Sequence, residues 1–389
     1  MIDLALTRQD GARERARWAA RARHGNARVL VIGAGVTGLT TALVLARRGR
    51  QVTIVADRFA PDVVSTVAGA LWELPPSVCG RHHDEPALDH AAGWAMTSYQ
   101  AFAQLAANPQ TGVAVRPAIF YFQHRVDDNP AELAKMRQVA EHVPGFVHDP
   151  ALISHHGVSP AAGVIDAYSY LAPMIDTDRY LAWLQAEVLA AGCRLVRRRI
   201  CGTLAEQEQP LLGDFAADVI INCSGLGSAE LAADTALDPH RGALLRLVND
   251  GRERPRITIA HAVANDVTSD SQNMIFIVPR GEDRLLVGGL VEPGQWDTDV
   301  DLGSYRPLQD MLARCAGFMP ALAGFQLDRA DPLRVGLRPY RAGNVRLEAE
   351  PGTRMVHNYG HGGAGVTLSW GCAHDAADLA ERFLISAAA

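Results

Sequence analysis

The sequence predicts an α/β fold in which a parallel-sheet domain is interleaved with a second, β-rich (α+β) domain. Three observations carry that expectation. The chain opens on strand, glycine-rich turn, helix and strand between Val29 and Val55. Its middle is a series of short β-rich runs, Ile257–Ala260, Met274–Val278 and Leu285–Val287, separated by polar and glycine-rich turns. Its end returns to a glycine-rich turn, Gly360–Gly365, and a helical pattern, Ser369–Phe383. With no internal repeat and no low-complexity linker, a domain that the chain leaves and re-enters explains this order better than two separate units.

The first unit follows from residue types taken in order. Val29–Ile32 is a short apolar run that stops at Gly33, and apolar residues then recur through Leu39, Ala42, Leu43, Leu45 and Ala46 as on a helix packed against a sheet. Gly49 ends that helix, and Val52–Val55 is a second β-rich run. Farther on, Tyr180–Ala191 reads as a helix with Leu181, Leu184 and Val188 on one face, and Val219–Asn222 as a buried strand with Gly225 and Gly227 just behind it. The expected partition is 29–75, 160–245 and 334–389 for the first domain, and 76–159 with 246–333 for the second.

Composition excludes several classes. The 389 residues are 48% hydrophobic and 21% charged, which argues against wholesale disorder. A formal charge of −6 gives no basic surface for nucleic acid. The six cysteines form no C-x-x-C pair, so neither a zinc site nor a disulfide framework is expected, and a reduced cytoplasmic setting fits best. No run of ~18 apolar residues stands in the chain, so no membrane span is expected. Residues 1–28 are arginine-rich but broken by Asp3, Asp10 and Glu14, and are read as a surface helix rather than a transit peptide. His82, His83 and Asp84 are read as a solvated loop, and no metal site is expected.

Gly33-Ala34-Gly35-Val36-Thr37-Gly38 is a complete G-x-G-x-x-G between strand and helix, which makes this a Rossmann-type unit. Gly33 permits the tight turn, Gly35 lets a pyrophosphate approach the backbone, and Gly38 lets helix and strand pack closely. The helix start at Val36 and Thr37 offers N–H groups and a positive dipole end to phosphates. A ribose-binding acid is expected about 20 residues on, and Asp57 fills that place just past the second strand. These residues do not separate NAD from FAD.

Longer segments carry a family resemblance. Val55-Ala56-Asp57-Arg58-Phe59, Ala68-Gly69-Ala70-Leu71-Trp72, Ile221-Asn222-Cys223-Ser224-Gly225 and Gly336-Leu337-Arg338-Pro339-Tyr340-Arg341 all resemble segments of D-amino-acid and D-aspartate oxidases. So does His357-Asn358-Tyr359-Gly360-His361-Gly362-Gly363-Ala364-Gly365, continued by Trp370-Gly371-Cys372-Ala373. The resemblance runs from Val29 almost to the C-terminus. It implies a Rossmann-like FAD-binding domain interleaved with a β-rich substrate-binding domain, and non-covalent FAD. It also implies that Arg58, Ser65, Thr66, Gly69, Ala70, Leu71, Ser224, Gly225, Gly362, Gly363, Ala364, Gly365, Val366 and Thr367 join the Gly33–Gly38 turn and Asp57 around the cofactor. Arg338 would hold the substrate carboxylate through parallel hydrogen bonds. The Gly363 carbonyl would accept from its amine. A helix from about Thr367 would aim its N-terminus at the flavin.

The chain departs from the family at two places. Gln272 and Phe276 stand where the family has active-site tyrosines, which leaves Tyr340 as a replacement hydroxyl or a core aromatic. Glu73 stands where the family often has an uncharged polar residue. Facing the cavity, it would favour basic or nitrogen-bearing substrates; turned away, it would pair with Arg81 or another arginine. The first expectation is oxidation of a D-amino acid at the α-carbon, with dioxygen reduced to hydrogen peroxide and a homodimer as the candidate assembly. The same fold acting on a secondary amine or modified amino acid is the second. A non-catalytic FAD-binding protein is the third.

Overall fold

The run Val29–Ile32 has no polar face because it is an inner strand, paired on both sides and fully covered. The structure is a computed structural model that describes residues 27–74, 85–263 and 274–386. Residues 1–26 of the expected N-terminal helix, the His82–Asp84 loop and Gln272 lie outside the described residues.

In chain order the strands are β1 (Arg28–Ile32), β2 (Gln51–Ala56), β3 (Val113–Phe122), β4 (Val147–His148), β5 (Asp166–Ile175), β6 (Arg194–Arg197), β7 (Val219–Asn222) and β8 (Leu237–Val248). They continue with β9 (Ala260–Val263), β10 (Ile275–Arg280), β11 (Arg284–Gly288), β12 (Glu292–Pro293), β13 (Leu333–Arg341), β14 (Arg346–Ala349) and β15 (Met355–Tyr359). A six-stranded sheet runs β14-β15-β7-β1-β2-β6, parallel except for the β14–β15 edge pair. A second sheet runs β12-β8-β11-β10-β9-β3-β5-β4, with β13 also paired to β8.

The first helix, Val36–Arg47, lies on the parallel sheet against the helices Thr177–Ala190 and Gly365–Ser386. Helix Gly365–Ser386 also packs on Glu85–Leu105. Their backbones nearly touch: a Cβ on Gly371 would lie 2.3 Å from Trp94 Cα. The glycine at 371 therefore serves helix packing. A separate apolar cluster lies under the second sheet, where Met311, Cys315 and Phe318 of the helix Arg306–Phe318 meet Ile277, Leu285 and Val287. Among the described residues no helix is long and apolar enough to cross a membrane.

Several boundaries differ from the sequence reading. The run expected as a strand at Ile257–Ala260 pairs only from Ala260 onward. The Asn249 side chain bonds both the N–H and the C=O of Ile257, at 2.9 and 2.8 Å, and so takes that residue out of the ladder. The C-terminal helix begins at Gly365, two residues before Thr367, because the 3₁₀ turn Gly362–Ala364 runs straight into it. β5, β8 and β13 belong to the second sheet, whereas the sequence places 160–245 and 334–389 in the first domain. Their long apolar runs pair antiparallel with β3, β11 and each other, which residue type alone does not reveal.

Candidate active site

One cavity of about 610 Å³ runs from the Gly33 turn to the face of the second sheet. Its first wall is the dinucleotide turn. Gly33 has φ +110°, and a Cβ there would meet the Cys223 carbonyl oxygen at 2.4 Å. Glycine is required on both counts. Gly35 caps the helix without a side chain, and no acidic residue stands in the first turn. The Val36 N–H donates to Ser65 Oγ at 3.0 Å, so Ser65 closes the turn from the other side. Val36, Thr37 and Ser65 all line the cavity. Gly38 does not. A Cβ on it would lie 2.0 Å from the Gly33 carbonyl oxygen, so its role is packing of helix on turn.

Asp57, Arg58, Arg198 and Arg199 line the same end. Asp57 and Arg58 approach to 3.9 Å with both side chains more than half exposed, a screened contact that leaves the carboxylate open to a hydroxyl. Opposite them, Asn222 Oδ1 accepts from the Ser224 N–H and hydroxyl at 3.2 and 2.7 Å and so shapes the Ser224–Gly225 turn at the cavity.

The segment Ala68–Leu71 forms the next wall. Ala70 adopts φ +51°, a conformation that disfavours a side chain and is held here by its surroundings. The Ile175 N–H donates to the Ala70 carbonyl at 3.0 Å, and the Trp72 N–H to Pro173 O at 2.9 Å. Behind the wall, Arg280 donates to the Ala68 and Gly69 carbonyls at 3.0 and 2.8 Å and to Thr177 Oγ1 at 2.8 Å. Gly69, Ala70 and Leu71 line the cavity. Thr66, expected beside the cofactor, does not. Its hydroxyl donates to Val63 O at 2.7 Å and Pro61 O at 3.0 Å, inside its own 3₁₀ turn.

Gly362, Gly363, Ala364, Gly365, Val366 and Thr367 line the cavity together. They form the 3₁₀ turn and the first residues of a long helix with no acidic residue in its first turn. Two helix N-termini thus open onto one space, a setting for anionic groups.

Arg338 lies on β13 and lines the cavity over Gly242, where a Cβ would fall 2.3 Å from its Nη1. Nη1 donates to the Leu290 carbonyl at 2.9 Å and the Arg241 carbonyl at 3.3 Å. Burial lowers its pKa to about 10, so it stays charged at neutral pH. Among the described residues no carboxylate pairs with it. Arg334, Arg341 and Arg346 differ, since Asp178 with Asp331, Asp234, and Glu348 respectively hold them. Tyr340 stays out of the lining, and its ring stacks on His240 at 4.1 Å. Burial, with the Arg338 charge beside it, lowers the His240 pKa below the usual imidazole range.

Phe276 lines the cavity, packed over Gly69. Glu73 lines it too, bonded by Lys135 Nζ at 2.5 Å. A lysine of the chain itself, Lys135, thus supplies a cation at Glu73, and Arg81 lies outside the described residues. Sequence reading missed Lys135, Arg280, Gly242 and the arginines at 198 and 199. The Arg197-Arg198-Arg199 run after a short strand carried a signal; the others carried none.

Comparison with known proteins bears on this geometry. A family model described as FAD dependent oxidoreductase matches residues 28–379. The chain is 36% identical to a D-amino-acid oxidase of Rubrobacter xylanophilus, over 91% of this chain and 96% of that one. It is 30% identical to a human D-aspartate oxidase, over 91% of this chain and 94% of that one. A crystal structure of glycine oxidase from Geobacillus kaustophilus superposes with a TM-score of 0.70 at 19% identity, covering 92% of this chain and 95% of that one.

Proposed function

Because the chain belongs to the DAO family of FAD-dependent oxidoreductases, we propose that it oxidises a free D-amino acid at its α-carbon to the imino acid, which water then converts to a 2-oxo acid and ammonia. FAD is its cofactor. Bound FAD would supply the acceptor for the hydride that leaves the α-carbon, with dioxygen as the final electron acceptor and hydrogen peroxide as its product.

The residues present fit that group. The Gly33–Thr37 turn with Ser65 suits a pyrophosphate, Asp57 a ribose hydroxyl, and the Gly362–Thr367 helix start an electron-rich ring edge. The observation that carries the substrate reading is Arg338, a guanidinium in the cavity with carbonyl partners and, among the described residues, no acidic one. It binds and orients a carboxylate, which fixes the α-carbon relative to the ring. The Gly363 carbonyl accepts a bond from the amine. Phe276, Ala262 and Phe120 exclude water from that end. The substrate amine must arrive neutral, and no side chain is needed as a base.

Phe276 brings no hydroxyl to the cavity, and Tyr340 stays out of it. That favours, as a second reading, a secondary amine or N-substituted amino acid, whose bulkier nitrogen needs the space a phenol would fill. Mixing the anaerobic flavoprotein with D-amino acids, L-amino acids, glycine and N-substituted amines separates the two. Bleaching of the flavin by D-amino acids is expected. Bleaching by N-substituted amines alone would establish the second reading, and no bleaching by any of them would leave a binding protein.

A further inference from the structure

Phe276, Ala262, Phe120 and Tyr168 stand opposite one another on β10, β9, β3 and β5, and so form one row across the face of the second sheet. The first three line the cavity. Tyr168 is fully buried at the end of the row, close enough to Lys135 and Glu73 to feel both charges. Lys135 comes from the helix Pro130–His142 and Glu73 from the segment after Leu71, 62 residues apart in sequence. They meet at 2.5 Å, with side chains 19% and 17% exposed. An apolar row therefore ends in an ion pair whose acidic member faces the cavity.

Burial alone would lower the Lys135 pKa, but the Glu73 charge and its hydrogen bond more than offset this and raise it. The ammonium stays charged. Glu132, on the same helix, is held by His124 at 2.5 Å. The pair thus sets two opposite charges at the cavity that Arg338 shares, with Glu73 in the lining and Lys135 behind it. An uncharged side chain meets that wall without electrostatic cost. A second carboxylate meets Glu73 in the lining, and an ammonium or guanidinium finds Glu73 already held by the Lys135 charge behind it, so each is repelled by the like member of the pair.

We propose that the Glu73–Lys135 pair is the side-chain specificity determinant of this enzyme, selecting amino acids with uncharged side chains, and that Lys135 is a latent anchor for a second carboxylate which Glu73 keeps covered. The inference rests on the amino-acid oxidase reading above.

The test compares kcat/KM for D-alanine, D-aspartate and D-lysine in the FAD-loaded native enzyme, Glu73→Gln, Lys135→Met and the double variant. The native enzyme prefers D-alanine. Glu73→Gln raises the D-aspartate to D-alanine ratio by about tenfold or more, and Lys135→Met raises the D-lysine ratio instead. The double variant, with no charge at either position, returns to the native order, which traces the change in Glu73→Gln to the uncovered Lys135 charge; Glu73→Gln alone decides the proposal if Lys135→Met fails to fold. A merely structural pair would lower all three efficiencies together. A native preference for a charged substrate, or ratios unmoved in Glu73→Gln, overturns the proposal. If none of the three bleaches the native flavin while an N-substituted amine does, the D-amino-acid reading falls and the proposal with it; turnover of D-alanine with unmoved ratios removes the proposal alone.

Discussion

Arg338 and Arg280 are the same residue type in two neighbouring places, one on the face of the cavity and one behind its wall. Burial lowers the pKa of each to about 10, and each donates to two backbone carbonyls. Their remaining donors separate them. Arg280 also bonds Thr177 Oγ1 and clamps Ala68 and Gly69 from outside. Arg338 spends one nitrogen, Nη1, on both carbonyls and lies along the cavity over Gly242. A buried cation whose donors are taken up by the fold is a strut. One whose donors are left toward a cavity is a receptor for an anion.

The largest effect expected from this contrast is on the strut. Arg280→Leu strips the donor from two carbonyls and a hydroxyl acceptor at once, and each buried unsatisfied group costs about 1–3 kcal/mol. A loss of about 3 kcal/mol or more in stability is expected, together with weaker FAD retention, because Gly69 and Ala70 lose their support. Urea unfolding with and without added FAD measures both. Normal stability with normal flavin content would show that the wall holds itself.

Arg338→Leu should do the reverse. One carbonyl it caps, Arg241 O, lies within β8 and the other, Leu290 O, between β11 and β12, but the main loss is the carboxylate partner. At least about a 100-fold fall in kcat/KM is expected, about 2.7 kcal/mol in the transition state, with FAD still bound. Flavin absorbance of the purified variant and steady-state kinetics on the best substrate decide it. Unchanged efficiency would mean that the receptor lies elsewhere.

The same contrast explains what the sequence made legible. The phosphate end is local: Gly33, Gly35, Val36 and Thr37 lie within five residues, and the chemistry of a strand–turn–helix is readable from their order. Arg338 and the Gly362–Thr367 turn were found through resemblance, since a lone arginine in a strand has no periodic signature. The support was not legible. Lys135 reaches Glu73 from a helix 62 residues away, and Arg280 reaches Ala68 across 212. Such pairs are fixed by the register of the antiparallel sheet, and register depends on strands whose boundaries the sequence blurs, as at Ile257. Where sequence reading overreached, it assigned nearness in sequence to nearness in space. Thr66 sits beside the lining residues Ser65 and Val67 yet serves its own turn, whereas Gly38 packs helix on turn as its place in the motif implies. Tyr340, two residues from Arg338, stacks on His240 outside the lining.

Thr66 gives the smallest and sharpest test of wall against face. It stands next to Ser65, whose hydroxyl accepts from the Val36 N–H at the cavity, yet its own hydroxyl points back to Val63 O and Pro61 O. Its backbone carbonyl accepts from Thr177 Oγ1 at 2.7 Å and from Arg334 at 3.3 Å, so the backbone is fixed whatever the side chain. Thr66→Val keeps the shape and the β-branch and removes one donor. The two carbonyls it served lie in an exposed turn that water reaches, so the cost should be that of an ordinary hydrogen bond, about 1 kcal/mol. FAD affinity and kcat/KM should stay within about twofold of native, since 1 kcal/mol of fold stability is not spent at the cofactor. Ser65→Ala, one residue away, should instead weaken FAD binding with little change in stability, because it takes the acceptor from the first N–H of the phosphate-facing helix. Flavin titration of both apoproteins beside their unfolding curves reads the pair. If Thr66→Val loses FAD as readily as Ser65→Ala, the segment acts as one cofactor clamp, and the division between face and wall does not hold at this point.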